Sequence, residues 1–123
     1  MTHVTPFLWF DDDAEAAIGF YTSLIPGSEV VSLGRYPDEV PGMGGKVMHV
    51  HFRLAGRDYF GMDAGPQFPF TEAVSLYVSC GDQAEVDRYW DALVADGGQE
   101  QPCGGLKDRW GLSWQITPRV LIE

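Results

Sequence analysis

His49 and His51 stand two apart in a segment that alternates like a strand, so both rings share one face, as a metal-binding pair requires. The alternative is a pair of partly exposed strand histidines at a sheet edge or in a subunit contact, and that plainer reading is preferred. His3, near the terminus, reads as exposed. Cys103, in Pro102-Cys103-Gly104-Gly105, sits beside a flexible turn and has the type of a reactive thiol. No histidine adjoins it to activate it, and a small buried residue is the favoured reading. Cys80 ends a strand and reads as core. Lys107-Asp108-Arg109 is the densest mixed-charge spot: its cations could draw an anionic ligand to a cleft mouth, or Asp108 could close a turn on its own backbone. The turn is preferred, and both can hold together. Asp11, Asp12 and Asp13 lack the alternating spacing of a calcium loop and suit the start of a helix, as cap and as favourable charge at its dipole.

The elements that must position these groups come in two copies. Asp12-Asp13-Ala14-Glu15 followed by Phe20, and Asp82-Gln83-Ala84-Glu85 followed by Trp90, keep one order and one internal spacing, displaced by 70 positions, and each follows a short apolar run. In the first half the pattern predicts a strand over 4–10, a helix over 14–24 stopped by Pro26-Gly27, and a strand over 29–36. A Pro- and Gly-rich loop over 37–45 leads to a strand over 46–54, and a hairpin turn over 56–58 leads into a strand over 59–63. After a link over 65–70, the second half predicts a strand over 73–79, a helix over 83–95, a Gly97-Gly98 stop, and short strands around 105–106 and 112–117 flanking a polar turn at 107–111. Each half therefore reads β-α-β-β-β, with the third strand of the second half weakly marked. The fold class is α+β: one domain, 1–123, made of two βαβββ modules, about 1–66 and 67–123, forming a curved eight-stranded mixed sheet around a cleft.

A chain of 123 residues can bury a core without metal or disulfide staples. Eighteen acidic side chains against eight basic ones, a net charge of −10, argue against nucleic acid or an anionic membrane as partner. Two cysteines are too few for a disulfide scaffold and lack the spacing of a zinc knuckle, which fits a reducing, cytoplasmic setting. No basic stretch with an apolar h-region opens the chain, and no apolar run approaches membrane-spanning length.

Pro6-Phe7-Leu8-Trp9-Phe10, Ala14-Glu15 through Phe20-Tyr21, Gly65-Pro66-Gln67-Phe68, Val86-Asp87-Arg88-Tyr89-Trp90, and the long run from Leu106-Lys107-Asp108-Arg109-Trp110 through Gly111-Leu112-Ser113-Trp114-Gln115 give the chain a family likeness. It resembles the vicinal oxygen chelate superfamily, which includes glyoxalase I, extradiol dioxygenases and fosfomycin-resistance proteins, and within it the PhnB-like branch often labelled demethylubiquinone methyltransferase-like. The resemblance implies the paired-module fold and, in members with metal chemistry, His, Gln or Glu ligands on the first and last strand of each half. A divalent ion there would leave positions open for a substrate's neighbouring oxygens. The corresponding first-strand positions here are Pro6 and Ser75; Pro6 has no donor atom and Ser75 is a poor ligand. On the closing strands the counterparts are Gln115, which is neutral, and the region of Phe60 to Met62, where only Asp63 could help. No metal and no cofactor is therefore expected. Methyl transfer is not expected either, because Gly42-Met43-Gly44-Gly45 lies between antiparallel strands with no helix after it, unlike the glycine-rich turns that hold nucleotide-type methyl donors.

Strand parity then selects Leu8, Phe10, Ser75, Tyr77, Ser113 and Gln115 to line an apolar cleft with a few hydroxyl and amide groups, suited to a small apolar or aromatic ligand. Three readings are open: a metal-free small-molecule-binding protein, which is preferred; an enzyme with a displaced metal site built from His49, His51, Asp63 or Gln115; and an interaction module whose cleft a partner chain closes. A homodimer joined through sheet edges or exchanged halves is expected from the family likeness.

Overall fold

The computed structural model describes residues 2–118, except for the side chain of Cys103. The chain divides into two compact units, Met1–Pro69 and Phe70–Glu123. The expected strands and helices are present, and the eight strands fall in two four-stranded sheets, one in each unit.

The first unit runs β1 (Phe7–Phe10), α1 (Ala14–Leu24), β2 (Glu29–Arg35), β3 (Val47–Leu54) and β4 (Arg57–Asp63). Its sheet has the order β1-β4-β3-β2, with β1 parallel to β4 and the other neighbours antiparallel. β1 begins at Phe7 and not at residue 4: the Pro6 carbonyl accepts from the Phe60 N–H at 2.9 Å, but proline has no N–H to return. α1 has the expected limits because Ala14, Ala17, Ile18 and Tyr21 recur at helical spacing and are all buried against the sheet.

The hairpin between β3 and β4 turns on Ala55 and Gly56 and not on 56–58, since Arg57 already pairs with Leu54. Both turn residues have positive φ, 51° and 83°, as the right-handed strand twist demands of a two-residue connection. Glycine meets that demand without strain; Ala55 meets it at a cost.

The second unit repeats the order: β5 (Ser75–Cys80), α2 (Gln83–Val94), β6 (Gln99–Gln101), β7 (Gly105–Lys107) and β8 (Ser113–Pro118), paired β5-β8-β7-β6 with β5 parallel to β8. β6 is the strand for which the sequence shows no segment. Gln99, Glu100 and Gln101 form a sheet edge with no apolar face, so no alternation marks them. Val86, Tyr89 and Leu93 of α2 are buried together with Cys80, Leu106, Trp114 and Ile116 of the sheet. Among the described residues, no helix is long and apolar enough to cross a membrane.

The two helices are capped differently. Asp82 accepts from the Glu85 N–H at 2.9 Å while Glu85 accepts from the Gly81 N–H at 2.9 Å, a reciprocal closure of the first turn of α2. Asp13 occupies the equivalent position before α1, but its backbone (φ −121°, ψ 25°) is not extended and its side chain makes no cap bond. The expected cap from Asp11 to Asp13 is thus corrected: Asp63, arriving from β4, accepts from the Ala14 N–H at 2.9 Å.

Candidate functional site

Sheet parity sorts each unit's side chains into a helix-facing set and an open set. In the second unit the ladder pairs Ser75 with Ser113, Tyr77 with Gln115, and Leu76 with Trp114. Trp114 and its other partner Leu106 are 1 % and 0 % exposed on the α2 side, so Ser75, Tyr77, Ser113 and Gln115 take the open side. Gly105 pairs with Gln115 and Lys107 with Ser113, which puts Gly105 and Lys107 on the same side.

A cavity of about 130 Å³ opens there, lined by Glu72, Ser75, Gln101, Gly105, Ser113 and Gln115 among others. Its floor is tied together where the Gln115 Nε2 donates to the Ser75 Oγ at 3.0 Å. Ser113 is only 5 % exposed, and its hydroxyl has no hydrogen-bond partner among the described residues. Gly105 has ordinary extended geometry (φ −110°, ψ 172°), so its backbone does not demand glycine. A Cβ at that position would lie 3.2 Å from the Trp114 carbonyl oxygen and 3.7 Å from the Gln115 Cγ; the missing side chain leaves the space above Gln115 open. Tyr77 shares the face but not the cavity: it is half-exposed, and its hydroxyl pairs with the Thr117 Oγ1 at 2.7 Å.

The turn that carries β7 into β8 is built on Asp108, buried at 3 % exposure. Its carboxylate accepts from the Trp110 N–H at 2.9 Å, the Leu112 N–H at 3.0 Å and the Trp114 indole Nε1 at 2.9 Å. Holding the Trp114 ring on the helix side keeps Ser113 and Gln115 on the other. The mixed-charge motif is thus a turn, and its flanking cations are engaged: Lys107 pairs with Glu72, and Arg109 lies over the Trp110 ring and 3.5 Å from Asp96. The Lys107 ammonium, by its hydrogen bond above all, holds the Glu72 carboxyl below its usual range.

Leu8 and Phe10 lie elsewhere. Leu8 pairs with Gly61, Gly61 pairs with Val50, and a Cβ on Gly61 would meet Ile18 of α1 at 3.2 Å. Leu8 and Phe10, 8 % and 1 % exposed, therefore sit in the helix-sheet core of the first unit. The open face of that sheet carries Phe7, Trp9, Phe60 and Met62, with His49 and His51 beside the Phe60 ring at 5.4 and 5.2 Å.

The residues do not fit the divalent ion that the superfamily resemblance implies. His51 Nε2 is 2.9 Å from Asp58 Oδ1, which also accepts from Arg53 Nε at 2.9 Å. Asp63 belongs to the helix face, both its oxygens taken by backbone N–H groups of Ala14 and Val47. The displaced set of His49, His51 and Asp63 is thereby split between two faces of one sheet. Among the described residues, no group of three His, Cys, Asp or Glu side chains could hold an ion. The side chain of Cys103, a candidate thiol by sequence, lies outside the described residues.

Paired βαβββ units with this strand order define the class of fold seen in a glyoxalase/bleomycin resistance protein from Albidiferax ferrireducens. Within that class, the sequence pattern of the 3-demethylubiquinone-9 3-methyltransferase family matches residues 2–117, and the chain belongs to that family. Among solved structures it is similar to the PhnB protein from Bacillus cereus, at 37 % identity and a TM-score of 0.85, over 95 % of this chain and 99 % of that one. Protein PA1353 from Pseudomonas aeruginosa is 22 % identical with a TM-score of 0.75, over 96 % of this chain and 98 % of that one. The fosfomycin resistance protein FosX from Listeria monocytogenes is 14 % identical with a TM-score of 0.64, over 95 % and 90 % of the two chains; these last two likenesses are of fold alone. No curated protein shows a significant match to the chain.

Proposed function

We propose that the chain is a small-molecule-binding protein of the vicinal oxygen chelate fold, and that its ligand enters the cavity on the open face of the second sheet. The carrying observation is the space that Gly105 leaves open above the hydrogen-bonded Ser75 and Gln115 side chains, on the strand face where the buried Ser113 hydroxyl has no partner among the described residues. Buried polar groups are nearly always paired, and an exception in a concave site marks where a ligand or water belongs. Besides the Glu72 carboxylate, which pairs with Lys107, the cavity offers hydroxyl and amide groups, so binding without a metal is the reading these residues support best. Methyl transfer is not part of it: Gly42 to Gly45 turn between antiparallel strands β2 and β3, with no helix start to cradle a nucleotide-type donor. A homodimer through sheet edges belongs to the proposal, since β2 ends its sheet and exposes Val30 and Val31.

A thermal-shift screen of small molecules tests this reading, because a ligand that binds only the native state raises the melting temperature. Hits should lose their shift in Gln115→Ala and keep it in Tyr77→Phe, whose hydroxyl lies outside the cavity. A screen in which no compound shifts the wild type, or in which every hit is indifferent to Gln115, sinks the proposal.

A further inference from the structure

The first unit has a concave space of its own. It is a slot of about 230 Å³ between α1 and β2, lined by Glu15, Ile18 and Gly19 of the helix and by Val30 and Leu33 of the strand, with Val47 and Val50 of β3 beneath. Two local features open it. β2 carries one residue more than β3 at Val31, because Val30 pairs with Phe52 while Ser32 pairs with His51. That bulge lets Val30 and Leu33, three apart, both take the helix side, where their ladder partners Phe52 and Val50 are buried. Across the slot α1 presents Gly19. Its backbone is not in the left-handed region and a Cβ there would meet nothing within 4 Å. Neither conformation nor close packing therefore demands glycine at this mid-helix position, where alanine is the better helix former. Val30 is 44 % exposed and Leu33 half-buried at the open side, while Ile18, Val47 and Val50, at 1 % each, close the bottom.

The chemistry of the walls selects the occupant. Glu15 alone among the lining side chains carries a polar group, and its carboxylate is turned to Arg35 of β2, whose Nη1 and Nη2 donate to Oε1 and Oε2 at 2.9 and 2.8 Å. Every other lining side chain is aliphatic or absent, so a polar group pushed inside would give up its water and find no side-chain partner. A dry cavity of about 150 Å³ holds one benzene ring, whereas one turn of helix fills more than about 400 Å³. The space suits a small molecule better than a protein segment. We propose that the slot is a binding site for the hydrocarbon part of a small molecule, a short alkyl chain or a single ring, any polar end of which stays in water at the mouth. Gly19 is the residue that sets its size.

Chemical-shift titration of the full chain with 1-butanol, 1-pentanol, 1-hexanol and 1-heptanol tests the assignment. The expected result is saturable shifts at residues 19, 30 and 33, with affinity rising about three- to fourfold per added methylene until the slot is full. 1,6-Hexanediol, with a second hydroxyl to desolvate, should bind about tenfold more weakly than 1-hexanol. Gly19→Leu should place its side chain in the slot and weaken 1-hexanol at least about tenfold, and Gly19→Ala, a smaller plug, should weaken it less. Both variants should melt no lower than the wild type, since each favours the helix and meets open space. Sedimentation velocity on the same samples reports on the other occupant, a second copy of the chain seated on β2. No saturable shift at residues 19, 30 and 33, an affinity that does not follow chain length, or binding indifferent to Gly19→Leu would overturn the inference and leave the binding proposal for the second unit standing. A lower melting temperature for both variants would overturn it too, by showing that the space is not open. So would a dimer that Gly19→Leu dissociates, which would give the slot to the partner copy.

Discussion

Asp63 caps a helix that begins 49 residues before it: its Oδ1 accepts the Ala14 N–H at 2.9 Å while its Oδ2 accepts the Val47 N–H at 3.0 Å. One buried carboxylate thus joins the start of α1, the start of β3 and the end of β4, the three places where the first unit's chain must change direction. The carboxylate also sits where the positive end of the α1 dipole points.

Removing it should be costly. Asp63→Ala strands two buried N–H groups and is expected to lower stability by about 2–4 kcal/mol in urea unfolding. Asp13→Ala, which removes no cap bond, should change stability by less than about 0.5 kcal/mol. The reverse order would return the cap to the residue adjoining the helix.

Asp108 performs a similar task in the second unit, with three acceptor bonds from one side chain. Asp108→Asn brings an amide N–H to face either a backbone N–H or the Trp114 indole, so about 1–3 kcal/mol should be lost. Because Trp114 sets the parity of Ser113 and Gln115, the variant should also change tryptophan fluorescence in the native state and weaken any cavity ligand. Unchanged fluorescence would separate the turn from the site.

Ala55 holds φ at +51° in a turn where glycine or asparagine is at ease. Ala55→Gly and Ala55→Asn are each expected to raise stability by about 0.5–1 kcal/mol, read as a higher urea midpoint with an unchanged slope. A lower midpoint for both would show that the turn carries no strain.

Acid should weaken the first unit through Asp58. The hydrogen bond from His51, and then that from Arg53, hold its carboxyl below the ordinary 3.8. A carboxyl with a depressed native pKa contributes stability that is present above its unfolded value and lost as pH falls through the native one. The loss attributable to Asp58 therefore belongs below pH 3.8, and Glu15, lowered by Arg35, adds to it below 4.5. Asp13 acts in the opposite sense, its carboxyl raised above 3.8 chiefly by burial, so acid relieves a penalty there. Asp58→Asn should flatten the acid limb of stability against pH below about 4 and leave neutral stability little changed, since the group is exposed. Sodium chloride should flatten the same limb in the wild type.

Much of the molecule is legible in its residues and some is not, and two of the three β-strands expected to supply ligand contacts show why. In β8, Ser113, Trp114, Gln115, Ile116 and Thr117 alternate polar and apolar, so period-two parity alone assigns Ser113 and Gln115 to the open side, where the structure brings them to the cavity with Ser75. In β1, Phe7, Leu8, Trp9 and Phe10 are apolar without exception, and no alternation says which pair faces the helix. Pairing with β4 decided it, through the contact between the Gly61 position and Ile18, and it chose Leu8 and Phe10 for the core.

The amino-acid sequence by itself determined the duplicated module, the helix limits and the turn at Asp108, because each rests on interactions spanning a few residues: 3.6-residue periodicity, strand alternation and side chains bonding nearby backbone. Tertiary structure alone decided that Asp63 caps α1, that Glu72 pairs with Lys107, and that Gly105 opens a space beside Ser75 and Gln115. Those outcomes depend on which distant segments share a ladder and which face each one turns to the helix, and a chain fixes them only when its strands have found their register.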